Sequence, residues 1–294
     1  MPTTPSLLEP EFLRKLEQLS IVSKRAFSGQ LKGEKRSTKR GTSIEFADYR
    51  DYSHGDDLRR VDWNTYARLD RLFLKLFMEE EDLHVYLLLD ASRSMDFGSP
   101  TKLEYARRVA AALGYVGLAN YDRVGAAVFG DRLRARLAPV RGRAQSFLFF
   151  DFLQQARADG PTSFARSLRE YALRTRRPGV AIVISDFFNS DYEDGLKSLL
   201  GRRFQLTLIH VLDDAELHPD VLGDLKLVDS ETGEEREISV SPALLREYQA
   251  AVDRFCGGLQ GFCRRYGLDY IRTTTSTPFE DLVLKYLRRV GLVA

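Results

Sequence analysis

The chain is short of sulfur, of long apolar runs and of net charge. Its two cysteines, Cys256 and Cys263, lie seven residues apart in a helical pattern. Two helical turns separate them by roughly 10 Å, too far for a disulfide, so they read as reduced core residues suited to a reducing compartment. No apolar run approaches the ~20 residues of a membrane helix. Met1-Pro2-Thr3-Thr4-Pro5 has neither the basic start nor the apolar middle of a secretory signal. These absences predict a cytoplasmic protein with no transmembrane segment. Lys and Arg number 44 against 42 Asp and Glu, a net charge of +2, so the chain carries no polyelectrolyte signal and no nucleic-acid partner is expected. The four histidines, His54, His84, His210 and His218, are scattered without metal-ligand spacing. Neither a phosphate-cradling P-loop nor a dinucleotide glycine fingerprint occurs.

What is present suits a folded, water-facing protein. A length of 294 residues, 44% hydrophobic and 29% charged, allows one large or two ordinary domains. Residues 9–26 carry Phe12, Leu13, Leu16, Leu19 and Val22 on one helical face. Residues 1–40, read as an N-terminal helix and basic arm, hold nine Lys/Arg against four Asp/Glu. The stretch 24–40 reads as a solvated connection or as an anion-seeking arm. No aromatics interleave its later charges, so an acidic protein suits it better than a single nucleic-acid strand. In residues 41–82 acids and arginines alternate with Phe46, Tyr49, Tyr52 and Trp63. That mixture predicts a salt-bridged clasp packed on the main domain, with the aromatics as packing. A catalytic acid cluster of Glu45, Asp48, Asp56, Asp57 or Asp62 is the alternative, disfavoured because so many arginines keep those acids ionised and paired.

From residue 83 to 294 strand and helix patterns alternate, which predicts an α/β domain: a mostly parallel sheet covered by helices on both faces. Buried strands are expected at 85–90, 124–129 and 179–186, a further one at 204–212 and a last one near Tyr270-Ile271. Arg132 to Leu137 alternates like an edge strand; its arginines, with Arg141 and Arg143, could bind an anion, but such charges more often guard an edge. Helices are expected over 102–119, 145–156, 163–174, 191–200 and 279–289, with a long one after Ser241-Pro242. A β-hairpin insertion occupies about 214–241. In such sheets ligands bind beyond the C-terminal strand ends. Asp90 and Asp186 both end buried strands there. Ser92 and Ser94 follow the first strand, and Thr162 comes from another loop. This all-oxygen set of Asp90, Ser92, Ser94, Thr162 and Asp186 suits a hard cation, Mg²⁺ or Mn²⁺.

Asp90-x-Ser92-x-Ser94, then Thr162, then Asp186 resembles the metal-ion-dependent adhesion site of von Willebrand factor A domains. The run Glu45-Phe46 … Asp48-Tyr49-Arg50 … Gly55-Asp56-Asp57-x-Arg59 … Asp62-Trp63 … Ala67-Arg68 resembles the bacterial family called domain of unknown function 58 (DUF58). The resemblance implies a von Willebrand factor A-like (Rossmann-type) domain with a family-specific N-terminal segment. It also implies a MoxR-type AAA+ ATPase as partner.

Two functional classes lead, and a third, nucleic-acid binding through residues 24–40, is disfavoured by the near-neutral net charge. A non-enzymatic interaction module would complete the metal's coordination with an exposed Asp or Glu of a partner protein. A Mg²⁺-dependent phosphohydrolase would use the same strand-end carboxylates. The second lacks an acid two residues after Asp90 and a histidine placed to activate Ser92.

Overall fold

The computed structural model describes residues 7–21, 45–53, 58, 61–78, 83–229, 235–286, 288 and 292–293. The basic stretch 24–40 and the hairpin tip lie outside them. The chain divides into two compact units, Met1–Gly29 with Leu83–Ala294, and Gln30–Asp82.

Helix α1 (Pro10–Leu16) opens with proline at its first turn, where a missing N–H costs nothing. It buries Phe12 and Leu16 and is shorter than the helix expected over 9–26. After it the chain turns, Leu19 N–H donating to Leu16 O. Leu19 and Ile21 are then buried from non-helical backbone, and Ile21 bridges Val293. A β-branched residue suits that extended position better than a further helical turn.

The second unit holds β1 (Glu45–Asp51), α2 (Trp63–Leu69) and β2 (Phe73–Met78). The two strands pair antiparallel, with a register shift between Phe46 and Asp48. Asp62 caps α2, its carboxylate accepting from the N–H groups of Asn64 and Thr65. Trp63 was expected to pack inside; it is 55% exposed and meets Tyr66 edge-on. The helix places Trp63, Tyr66 and Leu69 at three-residue steps, and that face is open. The proposed clasp falls largely on residues or side chains outside the described set. Of its candidate acids, Asp62 is accounted for as a helix cap.

The larger unit continues through β3 (His84–Asp90), α3 (Lys102–Ala119), β4 (Arg123–Phe129), β5 (Leu133–Arg141), α4 (Ser146–Gln154) and α5 (Phe164–Arg174). Next come β6 (Val180–Ser185), α6 (Tyr192–Gly201), β7 (Gln205–Leu212) and the short α7 (Asp214–Leu217). The hairpin β8 (Gly223–Val228) and β9 (Glu235–Val240) precedes the long α8 (Pro242–Tyr266), then β10 (Asp269–Thr274) and α9 (Phe279–Asp281). A π-turn, Leu282–Tyr286, follows α9 where a regular helix was expected. Ser241 caps α8 and Pro242 is its first residue, as the sequence predicts.

The six-stranded sheet runs β10-β7-β6-β3-β4-β5. All neighbours are parallel except β4–β5, so the arginine-bearing strand is the antiparallel edge. Strand alternation divides the core. Val85, Leu87 and Leu89 join α1, α3 and α4 on one face, and Tyr86 and Leu88 join α5, α6 and α8 on the other. In chain order the main-sheet strands lie 3-2-1-4-5-6, the doubly wound arrangement whose order reverses between β3 and β6. From β3 the chain leaves toward α3 on one face, and from β6 toward α6 on the other. A crevice therefore opens at the C-terminal ends of these two neighbours.

Candidate metal centre

Parallel pairing of Leu89 with Ile184 brings the end of β3 beside the end of β6. Asp90, fully enclosed, thereby meets Ser185, whose hydroxyl donates to Asp90 Oδ2 at 2.6 Å. The other oxygen, Oδ1, accepts from Ser92 N–H at 2.9 Å and from the Thr162 hydroxyl at 3.3 Å. Ser92 Oγ and Ser94 Oγ stand 3.1 Å apart. Asp186 is 2% exposed. Its Oδ1 accepts from Phe188 N–H at 3.2 Å and its Oδ2 from Lys102 Nζ at 2.7 Å. The five residues singled out in the sequence thus line one crevice, four of them linked directly around Asp90 and its following loop.

The loops that present them are braced by backbone. Ala91 N–H donates to Phe129 O, Asp159 N–H to Ala91 O and Arg93 N–H to Gly160 O, which ties the β3 loop to the Thr162 loop. Arg134, read from the sequence as an edge guard or an anion contact, reaches inward: Nη1 donates to Ala91 O at 2.6 Å and Nη2 to Asp159 O. Asn189 donates its side-chain N–H to Thr162 O at 2.7 Å. Ser163 caps α5, and Asp191 accepts from Ser163 Oγ and from the N–H groups of Phe164 and Ala165. With Ser163 and Asp191 satisfying the helix end, Thr162 is left to face Asp90.

Electrostatics separate the two carboxylates. Burial, with the Asp186 charge adding to it, pushes the Asp90 pKa up to about 6 despite hydrogen bonds from Ser185 and Ser92. Asp186 instead has a cation on it. Lys102, the first residue of α3, is wholly enclosed and spans from Asp186 Oδ2 to Glu216 Oε1, the latter at 2.5 Å. Burial works against its ammonium, but the Asp186 and Glu216 carboxylates outweigh that and hold its pKa above the usual lysine value. Burial likewise raises the Glu216 pKa, with Lys102 opposing.

Sequence reasoning missed Lys102, Glu216, Ser185 and Arg134. Lys102 had a readable signal: it starts the stripe continued by Ala106, Val109, Leu113 and Val116, all buried, at steps of four and three. Glu216 also had one, because Asp213-x-x-Glu216 spells a capping box. The box forms, Glu216 Oε2 accepting from Asp213 N–H at 2.8 Å while its other oxygen takes Lys102.

Among the described residues no three His, Cys, Asp or Glu side chains gather as metal ligands. The donor set is two carboxylates plus hydroxyls, which is the oxygen-rich, thiolate-free chemistry of a hard cation. The 3.1 Å between the two serine hydroxyls also fits; neighbouring oxygens around a small octahedral cation lie about 3 Å apart. His210 sits beside Ser185 in the strand register and is buried among Phe187, Phe188, Phe255 and Tyr270. Burial lowers its pKa to about 3, so the ring is neutral; its Nδ1 pairs with Tyr270 Oη at 2.8 Å.

Strand order 3-2-1-4-5-6 with an Asp-x-Ser-x-Ser loop at the reversal point defines a von Willebrand factor A-like α/β domain. The chain belongs to the family described as protein of unknown function DUF58, whose model matches residues 48–255. It is similar to the uncharacterized protein Rv1480 of Mycobacterium tuberculosis, 30% identical over 305 residues, 99% of this chain and 95% of that one. The uncharacterized protein Mb1516 of Mycobacterium bovis matches to the same extent. Among solved structures, the conserved hypothetical protein BatB of Bacteroides thetaiotaomicron aligns over 71% of this chain and 98% of its own, at 16% identity and TM-score 0.45. The SpRpn10 VWA domain aligns over 69% of this chain and 94% of its own, at 15% identity and TM-score 0.40. Among the described residues no helix is long and apolar enough to cross a membrane.

Proposed function

We propose that this chain is a protein-interaction module whose strand-end crevice holds Mg²⁺ or Mn²⁺ on Asp90, Ser92, Ser94, Thr162 and Asp186. The ion would present an open coordination position to an Asp or Glu carboxylate of a partner protein. The observation that carries this reading is the pair of enclosed carboxylates on adjacent strands, one of them, Asp90, surrounded only by neutral donors. An uncompensated buried carboxylate beside a second one is costly, and a divalent cation relieves both. The resemblance to the DUF58 family points to a MoxR-type AAA+ ATPase as the assembly in which the module acts.

Capture of a purified MoxR-type ATPase on the immobilised chain in Mg²⁺ should be lost in EDTA and with Asp90→Ala. Capture indifferent to both removes the metal from the mechanism. The phosphohydrolase reading has one observation to consider, the buried Lys102, since an ammonium can steady a phosphoryl group. Both partners of that ammonium are carboxylates of this chain, which commit it away from a phosphoryl group. Mg²⁺-dependent turnover of a generic phosphate ester, abolished by Asp90→Ala, would nevertheless reverse the choice.

A further inference from the structure

We infer that Lys102 is a resident competitor for the cation site: its ammonium, shared between Asp186 and Glu216, sets how tightly the crevice takes a divalent ion. The inference rests on the metal-dependent reading above and concerns the regulation of that same site.

The position of Lys102 is not one that stability alone would choose. It lies in the first turn of α3, where the helix dipole disfavours a cation. It also occupies the start of a stripe whose other members are apolar and buried. Replacing a whole buried charge cluster by apolar residues is often neutral or stabilising, whereas removing the ammonium alone strands two carboxylates. What holds the ammonium in place is the crevice itself. Asp186 Oδ2 and Glu216 Oε1 accept from Nζ at 2.7 and 2.5 Å. The rings of Phe188 and Phe97 lie 5.4 and 6.0 Å from Nζ.

The consequence for an ion is electrostatic. A divalent cation taking Asp186 as a ligand must share that carboxylate with a positive charge already hydrogen-bonded to it. In an enclosed site two such charges repel strongly. Glu216 acts in the opposite sense: it draws the ammonium toward α7 and returns a negative charge to the neighbourhood. The two residues therefore push divalent affinity in opposite directions, which a purely structural ion pair would not do.

The test is Mn²⁺ binding to the full chain at neutral pH, read from the free-ion EPR signal, with thermal unfolding measured alongside. Lys102→Gln keeps an N–H donor but removes the charge, and should bind Mn²⁺ at least tenfold more tightly. Glu216→Gln leaves the ammonium committed to Asp186 and should bind severalfold more weakly. Binding by Lys102→Gln where the wild-type chain shows none also supports the inference. Wild-type affinity retained in both variants overturns it and leaves the metal reading standing. Binding by none of the three chains overturns both. If Lys102→Gln does not fold, Glu216→Gln decides alone: weaker binding supports the inference, and an unchanged constant ends it.

Discussion

Asp90 and Asp186 end neighbouring strands of one sheet, and both are enclosed. Around Asp90 the donors are two hydroxyls and one backbone N–H, which orient a negative charge without cancelling it. Around Asp186 an ammonium brought by α3 cancels it. The difference teaches that the crevice is half-neutralised by the chain itself. On the metal-binding proposal, one side would take an added cation while the other carries one from the chain itself, and affinity would be set in part by residues that need not touch the ion.

Removing the cation from the Asp186 side should have the largest effect. Lys102→Met leaves Asp186 buried without its partner, and breaking such a pair costs about 3–5 kcal/mol. Urea unfolding of the metal-free variant should show that loss, with Mg²⁺ restoring more stability to it than to the wild-type chain. On the Asp90 side the sign reverses. Its folded pKa of about 6 stands above the ordinary aspartate value of 3.8, so the charged group destabilises the metal-free fold at neutral pH. Asp90→Asn should therefore stabilise the metal-free protein, by on the order of 1–3 kcal/mol, while abolishing divalent binding. The penalty is full above about pH 6 and relieved as pH falls toward 3.8. The stability gap between Asp90→Asn and wild type should close over that window, and a gap independent of pH would remove the contrast between the two carboxylates.

On the metal-binding proposal, the same proton would compete with the ion. Mn²⁺ affinity of the wild-type chain should hold down to about pH 6 and then fall by up to about tenfold per pH unit. A flat profile between pH 7.5 and 5 would show that Asp90 is not a ligand. The smallest effect should come from the brace. Arg134→Met removes the donors to Ala91 O and Asp159 O, costing about 1–2 kcal/mol. Faster amide exchange at residues 159–163, with α8 unchanged, is the expected signature.

Much of the scaffold was legible in the chain because its signals are local and repeated. Residues 102–119 carry a capped, apolar-striped helix, and the observed α3 has those bounds. Ser241-Pro242 announces α8, and the all-apolar runs of β3 and β6 announce strands buried on both sides. The five candidate ligands were picked out by order and spacing, and the fold places Asp90, Ser92, Ser94 and Thr162 in one hydrogen-bonded group, with Asp186 at the end of the adjoining strand. What stayed hidden depends on contacts between distant segments. Lys102 finds Glu216 across 114 positions and Asp186 across 84, and no local pattern encodes either meeting. Ser185 was passed over because a serine closing a buried strand looks like any strand end. Trp63 was read as core from its chemistry, whereas its place on a short, one-sided helix leaves it exposed.

The long helix after the hairpin has a mechanical consequence. With 25 residues, α8 is a rod of roughly 37 Å. Its buried residues, Val252, Cys256, Leu259, Phe262 and Cys263, lie beyond its first ten positions. The C-terminal part is thus packed into the core, and the N-terminal turns are largely exposed. There Tyr248 Oη donates to Glu216 O at 2.7 Å, the backbone of the residue whose carboxylate holds Lys102. That single bond joins the exposed end of a helix anchored in the core to the counterweight of the crevice.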